Sequence, residues 1–211
     1  LDSLNQAAGA VDRARMITSQ LLTFAKGGQP VKTIIDLKSL IPAISDFVLH
    51  GSSCTAEYDF NEGLGCVEAD ENQLSQVFTN LLLNAVQAMP QGGLVKICVQ
   101  PQPAGDLGFT ASGENNKYVK VSIVDSGPGI PPEIINRVLE PYFTTKPKGT
   151  GLGLAVAYSI IANHQGHLRI NSAPGQGTQI EIILPAEAGE KTETTPAVKK
   201  HKIRRRVLVM D

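Results

Sequence analysis

The chain has 211 residues, 42% of them hydrophobic, which is enough for one full core and a small appendage. Its 19 basic and 20 acidic residues leave a net charge of -1, so the overall charge favours neither nucleic acid nor an anionic membrane as a partner. Three cysteines without CxxC spacing argue against a zinc site or a disulfide framework, and no apolar run or signal-peptide pattern indicates a membrane, so we expect reduced thiols and a cytoplasmic location.

The first predicted element is an amphipathic helix. Apolar residues recur at helical spacing from Leu4 to about Phe24, and Gly27, Gly28 and Pro30 end the pattern. A lone helix cannot bury its apolar stripe against itself. Residues 1–29 are therefore expected to be one helix of a truncated helical hairpin or bundle.

Residues 30–186 mix helices with short runs of alternating polarity that predict strands. Within two of these runs, Val119, Val121 and Ile123 share one face, and so do Ile180, Ile182 and Leu184. This alternation predicts a sheet with one face covered by helices and the other largely wet, hence an α+β fold with two layers. The predicted strands are Ala56–Phe60, Leu94–Gln100, Tyr118–Asp125, Leu168–Asn171 and Thr178–Leu184, with a loop over Pro101–Asn116.

The end of the chain changes character after Pro185. Residues 187–205 are polar and lack periodicity, which is typical of an interdomain linker, and residues 206–211 resemble the start of a new apolar strand. The basic run before that strand also fits a nucleic-acid patch. Because no aromatic or helical context accompanies it, we favour a solvated linker end and expect no nucleic-acid partner.

Helical spacing is strongest from Asp70 to Met89. Asp70 lies three residues before Gln73, as in a capping box, and Pro90 follows the last turn. One stripe of this helix is apolar, and a second is polar but uncharged. The apolar stripe comprises Leu74, Val77, Phe78, Leu81, Ala85 and Ala88, and the polar stripe comprises Gln73, Gln76, Asn80, Asn84 and Gln87.

The amide stripe admits a functional and a structural interpretation. Asparagine is a poor helix former, so Asn80 and Asn84 indicate positions held for a purpose. Two amides that merely bind neighbouring backbone would give the same pattern.

Two loop motifs follow the amide helix. Asp125 ends a strand and enters the turn SGPGIPP, where a carboxylate can accept a hydrogen bond from an exocyclic amine, although Asp before a glycine turn is also an ordinary strand terminator. Farther on, Gly149, Gly151 and Gly153 precede an apolar helix from about Leu154 to Asn163. Bare backbone amides at a helix amino terminus can bind a polyphosphate, but the same loop could simply be flexible.

Several familiar nucleotide sites are excluded by spacing. The pattern GxxxxGK[ST] is absent, so this is no P-loop, and the glycines do not complete GxGxxG. Neither HRD nor DFG occurs, which excludes an ordinary protein-kinase catalytic loop.

Taken together, QVFTNLLLNAVQAM, VDSGPGI, EPYFTTK, GTGLGLA and GQGT resemble the N, G1, F and G2 boxes and the closing Gly-Thr of sensor histidine kinases. Five motifs in the family's order cover most of the chain. The resemblance implies the Bergerat-type α/β sandwich shared with DNA gyrase, MutL and heat-shock chaperone ATPases. It also implies ATP and Mg²⁺ as ligands of a protein-histidine kinase.

The resemblance further implies roles for matched positions. Asn84 would ligate magnesium, Asn80 would lie beside the phosphates, Asp125 would bind the adenine amino group, and Thr178 would support adenine through water. Asn80, Asn84 and Lys146 form the implied catalytic set. The implied nucleotide-binding set comprises Asn84, Gln87, Asp125, Gly127, Gly129, Ile130, Phe143, Thr144, Thr145, Lys146, Gly149, Thr150, Gly151, Leu152, Gly153, Leu154 and Thr178.

One position departs from the family pattern. Many members have a lysine or arginine where this chain has Gln87, so Lys146 or Lys148 is expected to take over its contact with phosphate. Segments at both ends match a dimerisation hairpin and the start of a receiver domain, which implies a hybrid kinase, a homodimeric parent and a receiver domain or response regulator as partner.

The four histidines do not fit the phosphoacceptor. That histidine should precede an acidic residue, whereas the residues after the histidines here are Gly51, Gln165, Leu168 and Lys202. We therefore expect the phosphoacceptor helix to lie outside this sequence, and we expect surface or loop positions for His50, His164, His167 and His201.

Two other functions share the same pocket. A water-using ATPase would need a glutamate as general base one turn before the magnesium asparagine, where this chain has Asn80, so phosphoryl transfer is favoured. A regulatory module that binds nucleotide without catalysis would keep the same motifs and stays open.

Overall fold

A computed structural model describes residues 30–61, 65–103, 117–146 and 149–186. The predictions of a helical-hairpin element over residues 1–29, a linker over 187–205 and a receiver strand over 206–211 lie outside these described residues. So do Lys148, His201 and most of the predicted loop before Asn116.

The main layer is a five-stranded sheet in the order β2-β4-β5-β7-β6. Only β2 and β4 pair in parallel, and the other neighbours are antiparallel. Each predicted strand is present, and β4 continues into the predicted loop as far as Pro103. The strands are β2 Cys54–Phe60, β4 Gly93–Pro103, β5 Lys117–Asp125, β6 His167–Ser172 and β7 Thr178–Pro185.

The second layer consists of helices packed on one face of this sheet. Their bounds are α1 Leu37–Leu49, α2 Glu71–Ala88, α3 Pro132–Ile135 and α4 Gly153–Asn163. The predicted inner faces of β5 and β7 are buried, and Phe78 of α2 is fully buried against them. This arrangement confirms the predicted two-layer α+β sandwich. No helix among the described residues is long and apolar enough to span a membrane.

A small antiparallel ribbon, which the sequence pattern did not reveal, stands beside the main sheet. It pairs β1, Thr33–Asp36, with β3, Cys66–Ala69, and Val67 forms a single bridge to Ala186 after β7. Four-residue strands are too short to show a clear alternation. The ribbon leads the chain into α1 through Asp36, whose carboxylate caps that helix by accepting from the Lys38 N–H at 3.0 Å.

The outer face of the sheet is less exposed than predicted. Its centre carries a Lys120–Glu181 ion pair at 3.5 Å, but Tyr118 and Ile183 on the same face are buried, with 4% and 2% of their surface exposed. The expectation of a largely wet outer face is therefore wrong at the end of β5 where Tyr118 lies. All three cysteines are free thiols in strands, two of them buried.

His164 contradicts the predicted surface position. Its exposed fraction is 2%, whereas His50 and His167 are exposed as expected. Its Nδ1 lies 2.8 Å from the Ile160 carbonyl oxygen, and its Nε2 accepts the backbone N–H of Asp70 at 3.0 Å. A neutral imidazole protonated on Nδ1 satisfies both contacts, so His164 joins the end of α4 to the start of α2.

Acid is expected to weaken the fold through His164. Burial lowers the pKa of His164 from its ordinary 6.5, as does the charge of Lys32, while the Ile160 carbonyl and Asp70 act in the opposite direction. Below about pH 6.5, therefore, this histidine binds a proton in the unfolded chain but not in the folded protein. The free energy of unfolding decreases as the pH is lowered, until the pH reaches the lower pKa of the folded state. The slope from this group is at most about 1.4 kcal/mol per pH unit.

Urea unfolding between pH 5 and pH 8 measures this effect. His164→Gln should flatten the acid limb of the stability profile, whereas His50→Gln, at an exposed histidine that ends α1, should retain it. An unchanged acid limb in His164→Gln would contradict the assignment.

Candidate functional site

A pocket of about 550 Å³ opens between α2, the carboxyl end of β5 and the glycine loop before α4. This volume suits a small-molecule ligand. Sixteen of the residues predicted as ligands line it: Asn80, Asn84, Gln87, Asp125, Gly129, Ile130, Phe143, Thr144, Thr145, Lys146, Gly149, Thr150, Gly151, Gly153, Leu154 and Thr178. Gly127 and Leu152 do not line the pocket.

Asp125 lies at the end of β5 with 8% of its surface exposed. Its Oδ1 accepts the backbone N–H of Gly127 at 2.9 Å and that of Thr178 at 3.3 Å. Burial raises the pKa of Asp125, although these two N–H groups and the charge of Lys146 act in the opposite direction. Since Oδ1 is bound by protein, Oδ2 is the oxygen that remains for a ligand among the described contacts.

Ser172 belongs to this end of the site, and the sequence analysis missed it. Its hydroxyl donates to the Gly177 carbonyl at 2.7 Å, lies 3.0 Å from the Thr178 hydroxyl, and accepts the Ile130 N–H at 2.8 Å. Ser172 therefore joins the turn after β5 to the start of β7. A lone serine at a strand end gives no signal in sequence because its partners come from two distant segments.

The turn after β5 also explains the two glycines at its edges. Gly127 lies under Asp125, where its N–H binds the carboxylate, so its role is to hold Asp125 and not to line the pocket. Gly129 has a φ of +75°, and a Cβ on it would overlap the Ala173 carbonyl. Only glycine fits this close approach of two turns without strain.

The two asparagines of α2 face the start of α4. Asn80 is 6% exposed, and its Nδ2 donates to the Gly153 carbonyl at 3.2 Å. Asn84 is half-buried, and a Cβ built on Gly153 would lie 3.9 Å from its Nδ2. Both asparagines line the pocket beside the first residue of α4, and the Asn80 amide is also bonded to the Gly153 carbonyl.

Helix α4 begins in a form suited to an anion. Its N-cap is Leu152, which is 3% exposed and provides no side-chain cap to the first turn. The backbone N–H groups there have no partner within the helix and carry the positive end of its dipole. Leu152 thus contributes through its backbone and its packing, whereas Gly153 opens the surface toward the pocket.

The residues on either side of segment 143–150 are hydrogen-bonded to each other. Tyr142 donates its N–H to the Gly151 carbonyl at 3.0 Å, and both residues have positive φ, +68° and +67°. The Phe143 ring is covered by the Arg137 guanidinium 4.4 Å from its centroid. We call the described residues of this segment, 143–146 and 149–150, the lid; the residues that flank them are bonded to each other, and the Phe143 ring is covered by Arg137.

The pocket has a polar and an apolar half. Of the described residues lining it, Asp125 and Lys146 are the charged ones. The apolar part of the lining includes residues that the sequence analysis did not assign to the site, namely Ala88, Ile134, Val138 and Ile180. A flat apolar group with one amine fits this half, while an anion fits the amides, glycines and lysine of the other half.

A metal ion would have to be held jointly with a ligand. Among the described residues, no group of three His, Cys, Asp or Glu side chains could hold one. Mg²⁺ is usually held by few protein oxygens together with substrate phosphates and water. The half-buried Asn84 amide at the polar half fits that arrangement.

The pocket lies within a segment that matches a known family. Residues 69–188 match the family model described as histidine kinase-, DNA gyrase B-, and HSP90-like ATPase. The chain is 39% identical over 181 residues to sporulation kinase A of Bacillus subtilis (strain 168), with 83% of this chain and 27% of that protein covered. It is 33% identical over 187 residues to the sensor histidine kinase ZraS of Escherichia coli O157:H7, with 87% and 38% covered.

A solved structure shows the same fold. The catalytic domain of histidine kinase ThkA, in a nucleotide-free form, superimposes with a TM-score of 0.59 at 30% identity, with 73% of this chain and 95% of that domain covered. The chain therefore spans nearly the whole of a solved catalytic domain but only about a quarter to two fifths of the curated relatives' length.

Proposed function

Because this chain belongs to the family of histidine kinase-, DNA gyrase B- and HSP90-like ATPases, and its relatives are sensor histidine kinases, we propose that its pocket binds Mg-ATP for transfer of the γ-phosphoryl group to a histidine of the complete kinase. The observation that carries the proposal is the position of Asp125. Its buried carboxylate lines the pocket together with apolar residues such as Ala88 and Ile180, and the amides of α2 line it beside Gly153 at the start of α4.

At the apolar end, the Asp125 Oδ2 would accept the exocyclic amine of adenine. Thr178 donates its N–H to the Asp125 carboxylate, and its hydroxyl lies beside that of Ser172. Thr178 would support the base through water. Gly127 would act indirectly by holding the Asp125 carboxylate, and Gly129 would let the two turns approach each other. Ile130 would contribute an apolar surface for the base.

At the polar end, the chain would position the phosphates. The first N–H groups of α4, with the open surface at Gly153, would bind phosphate oxygens, and Asn84 would hold Mg²⁺ together with those oxygens and water. When bound, Mg²⁺ supplies charge neutralisation for the phosphates. Phosphoryl transfer depends mainly on such positioning, so the protein needs little covalent chemistry. The remaining predicted ligands of this end are Thr144, Thr145, Gly149, Thr150, Gly151, Leu152 and Leu154.

Asn80 favours transfer to a histidine over hydrolysis. An ATPase of the gyrase or chaperone kind needs a general base that takes a proton from water. An amide cannot do so, and Asn80 already donates to the Gly153 carbonyl. In this proposal Asn80 orients the start of α4 beside the phosphates.

The wider setting extends the proposal. The complete kinase would be a homodimer whose phosphorylated histidine passes its phosphoryl group to a receiver domain or a response regulator. This domain would lie in the cytoplasm.

Labelled ATP tests the function directly. The chain is mixed with the complete phosphoacceptor hairpin of its parent and with Mg-ATP that carries a labelled γ-phosphate. We expect acid-labile label on a histidine of the hairpin and none on this chain. Label on a histidine of this chain, or steady release of inorganic phosphate over many turnovers, would overturn the proposal. Binding of Mg-ATP without any transfer would favour a regulatory binding module.

A further inference from the structure

Lys146 connects the lid to helix α2. Its Nζ donates a hydrogen bond of 2.9 Å to the Oε1 of Gln87, a residue 59 positions earlier in the chain. Both side chains line the pocket on its polar side. The end of the Lys146 side chain, from the lid, thus contacts the end of the Gln87 side chain, from α2.

The backbone of Lys146 is held on both sides. Its N–H donates to the Thr144 hydroxyl at 3.1 Å, and its carbonyl accepts the Gly149 N–H at 3.0 Å. A Cβ on Gly149 would overlap the Thr144 hydroxyl, so this turn requires glycine at that position. The backbone N–H and carbonyl of Lys146 are thus both hydrogen-bonded where its side chain enters the pocket.

The Lys146 side chain is half-buried. Burial lowers its pKa, and Asp125 compensates only in part. An ammonium has three donors, and among the described contacts Gln87 takes one of them. An anion at the polar half of the pocket could therefore take the others without breaking the contact with Gln87.

We propose that Gln87 is a positioning residue, which holds the Lys146 ammonium at the mouth of the pocket so that the lid supplies the phosphate-binding cation. The inference rests on the proposed binding of ATP. A neutral acceptor at position 87 attracts the ammonium, whereas a cation there would repel it. The hydrogen bond between Lys146 and Gln87 is exposed and adds little to the stability of the fold. Its main effect is to fix the position of the Lys146 ammonium.

A double-mutant cycle tests the coupling. Calorimetry with Mg-ATP is performed on the wild-type chain, Gln87→Ala, Lys146→Ala and the double variant. We expect Lys146→Ala to weaken binding about 10-fold, as for loss of a hydrogen bond to a charged group. Gln87→Ala should weaken it about 3-fold, and the double variant should bind no more weakly than Lys146→Ala alone, since the two side chains act together.

Two further experiments test whether the effect is specific to Gln87 and whether it depends on where the cation lies. Gln76→Ala removes a glutamine of the same polar stripe that does not line the pocket, and it should bind Mg-ATP like the wild type. In a Gln87→Lys background, the cation comes from α2, so Lys146→Ala should weaken binding less than it does beside Gln87.

The outcomes distinguish the two proposals. If the effects of Gln87→Ala and Lys146→Ala multiply, or if Lys146→Ala leaves Mg-ATP affinity unchanged, the positioning role is wrong while ATP binding stands. If the wild-type chain binds no Mg-ATP, the proposed function itself fails.

Discussion

Asp125→Asn is expected to weaken Mg-ATP binding by about 10- to 100-fold, since it removes the carboxylate that we propose accepts a hydrogen bond from the adenine amine. The substitution keeps the shape of the side chain. An asparagine Oδ1 can still accept the N–H groups of Gly127 and Thr178. In place of Oδ2, however, the asparagine has an NH₂ group, which is a donor and cannot accept a hydrogen bond from the adenine amine.

The same substitution is expected not to destabilise the ligand-free protein at neutral pH. Because burial raises the pKa of Asp125, the ionised carboxylate opposes folding above its folded pKa, and this cost disappears when the group is protonated in acid. An amide has no such charge. The melting temperature of Asp125→Asn should therefore equal or exceed that of the wild type at pH 7, and the difference should shrink as the pH falls.

Opposite changes in affinity and stability separate a lost contact from a damaged fold. The measurements are calorimetry with Mg-ATP and Mg-ADP and thermal unfolding without nucleotide. Asp59→Asn, at an exposed position of β2, is the matched control and should change neither quantity. Equal nucleotide affinity in Asp125→Asn and the wild type would remove Asp125 from the adenine site.

The sequence patterns that predicted the fold correctly are those set by neighbours along the chain. Alternation in β5 and β7 predicted buried inner faces, and the cap on α2 is present, with the Asp70 carboxylate accepting the Gln73 N–H at 3.1 Å. Both depend on a periodicity or spacing of a few residues, which a single sequence displays directly.

Features that depend on distant partners escaped prediction. His164 has no local signal for burial because its acceptor role is to the N–H of Asp70, 94 positions earlier. Ser172 likewise binds segments from both sides of the pocket. The motif that includes Gly127 did not reveal its contact with the Asp125 carboxylate, because a motif does not say whether a residue lines a pocket or supports a neighbour.

The candidate site was easier to predict than the small elements around it. The predicted residues that line the pocket follow spaced motifs, such as the uncharged amides of α2 that lie beside the start of α4. Strands β1 and β3 have no such constraint, and Pro42 inside α1 breaks the usual helical pattern. The turn between β6 and β7 was visible in the sequence only as the motif GQGT, and the packing of Gly177 shows why that turn needs glycine.

Gly177→Ala is expected to destabilise the protein by about 2 to 5 kcal/mol, the sum of two costs. Gly177 has a φ of +77°, where an alanine costs about 1 to 2 kcal/mol. A Cβ there would also overlap the carbonyl oxygen of Asp125, and overpacking against backbone costs about 1 to 3 kcal/mol more. Relief of the overlap would move Asp125 away from Thr178, so nucleotide binding should fall as well.

Gly175→Ala isolates the first of these costs, the one due to positive φ. Gly175 has nearly the same φ, +76°, but a Cβ on it would meet no atom within 4 Å. Denaturant unfolding should therefore show a loss of about 1 to 2 kcal/mol in Gly175→Ala, with Mg-ATP affinity retained. If the two variants lose equal stability and bind equally well, the close packing of Gly177 on Asp125 does not shape the site. If Gly177→Ala loses more stability than Gly175→Ala and is the variant that also loses Mg-ATP affinity, the glycine of the closing Gly-Thr motif positions the carboxylate that we assign to adenine.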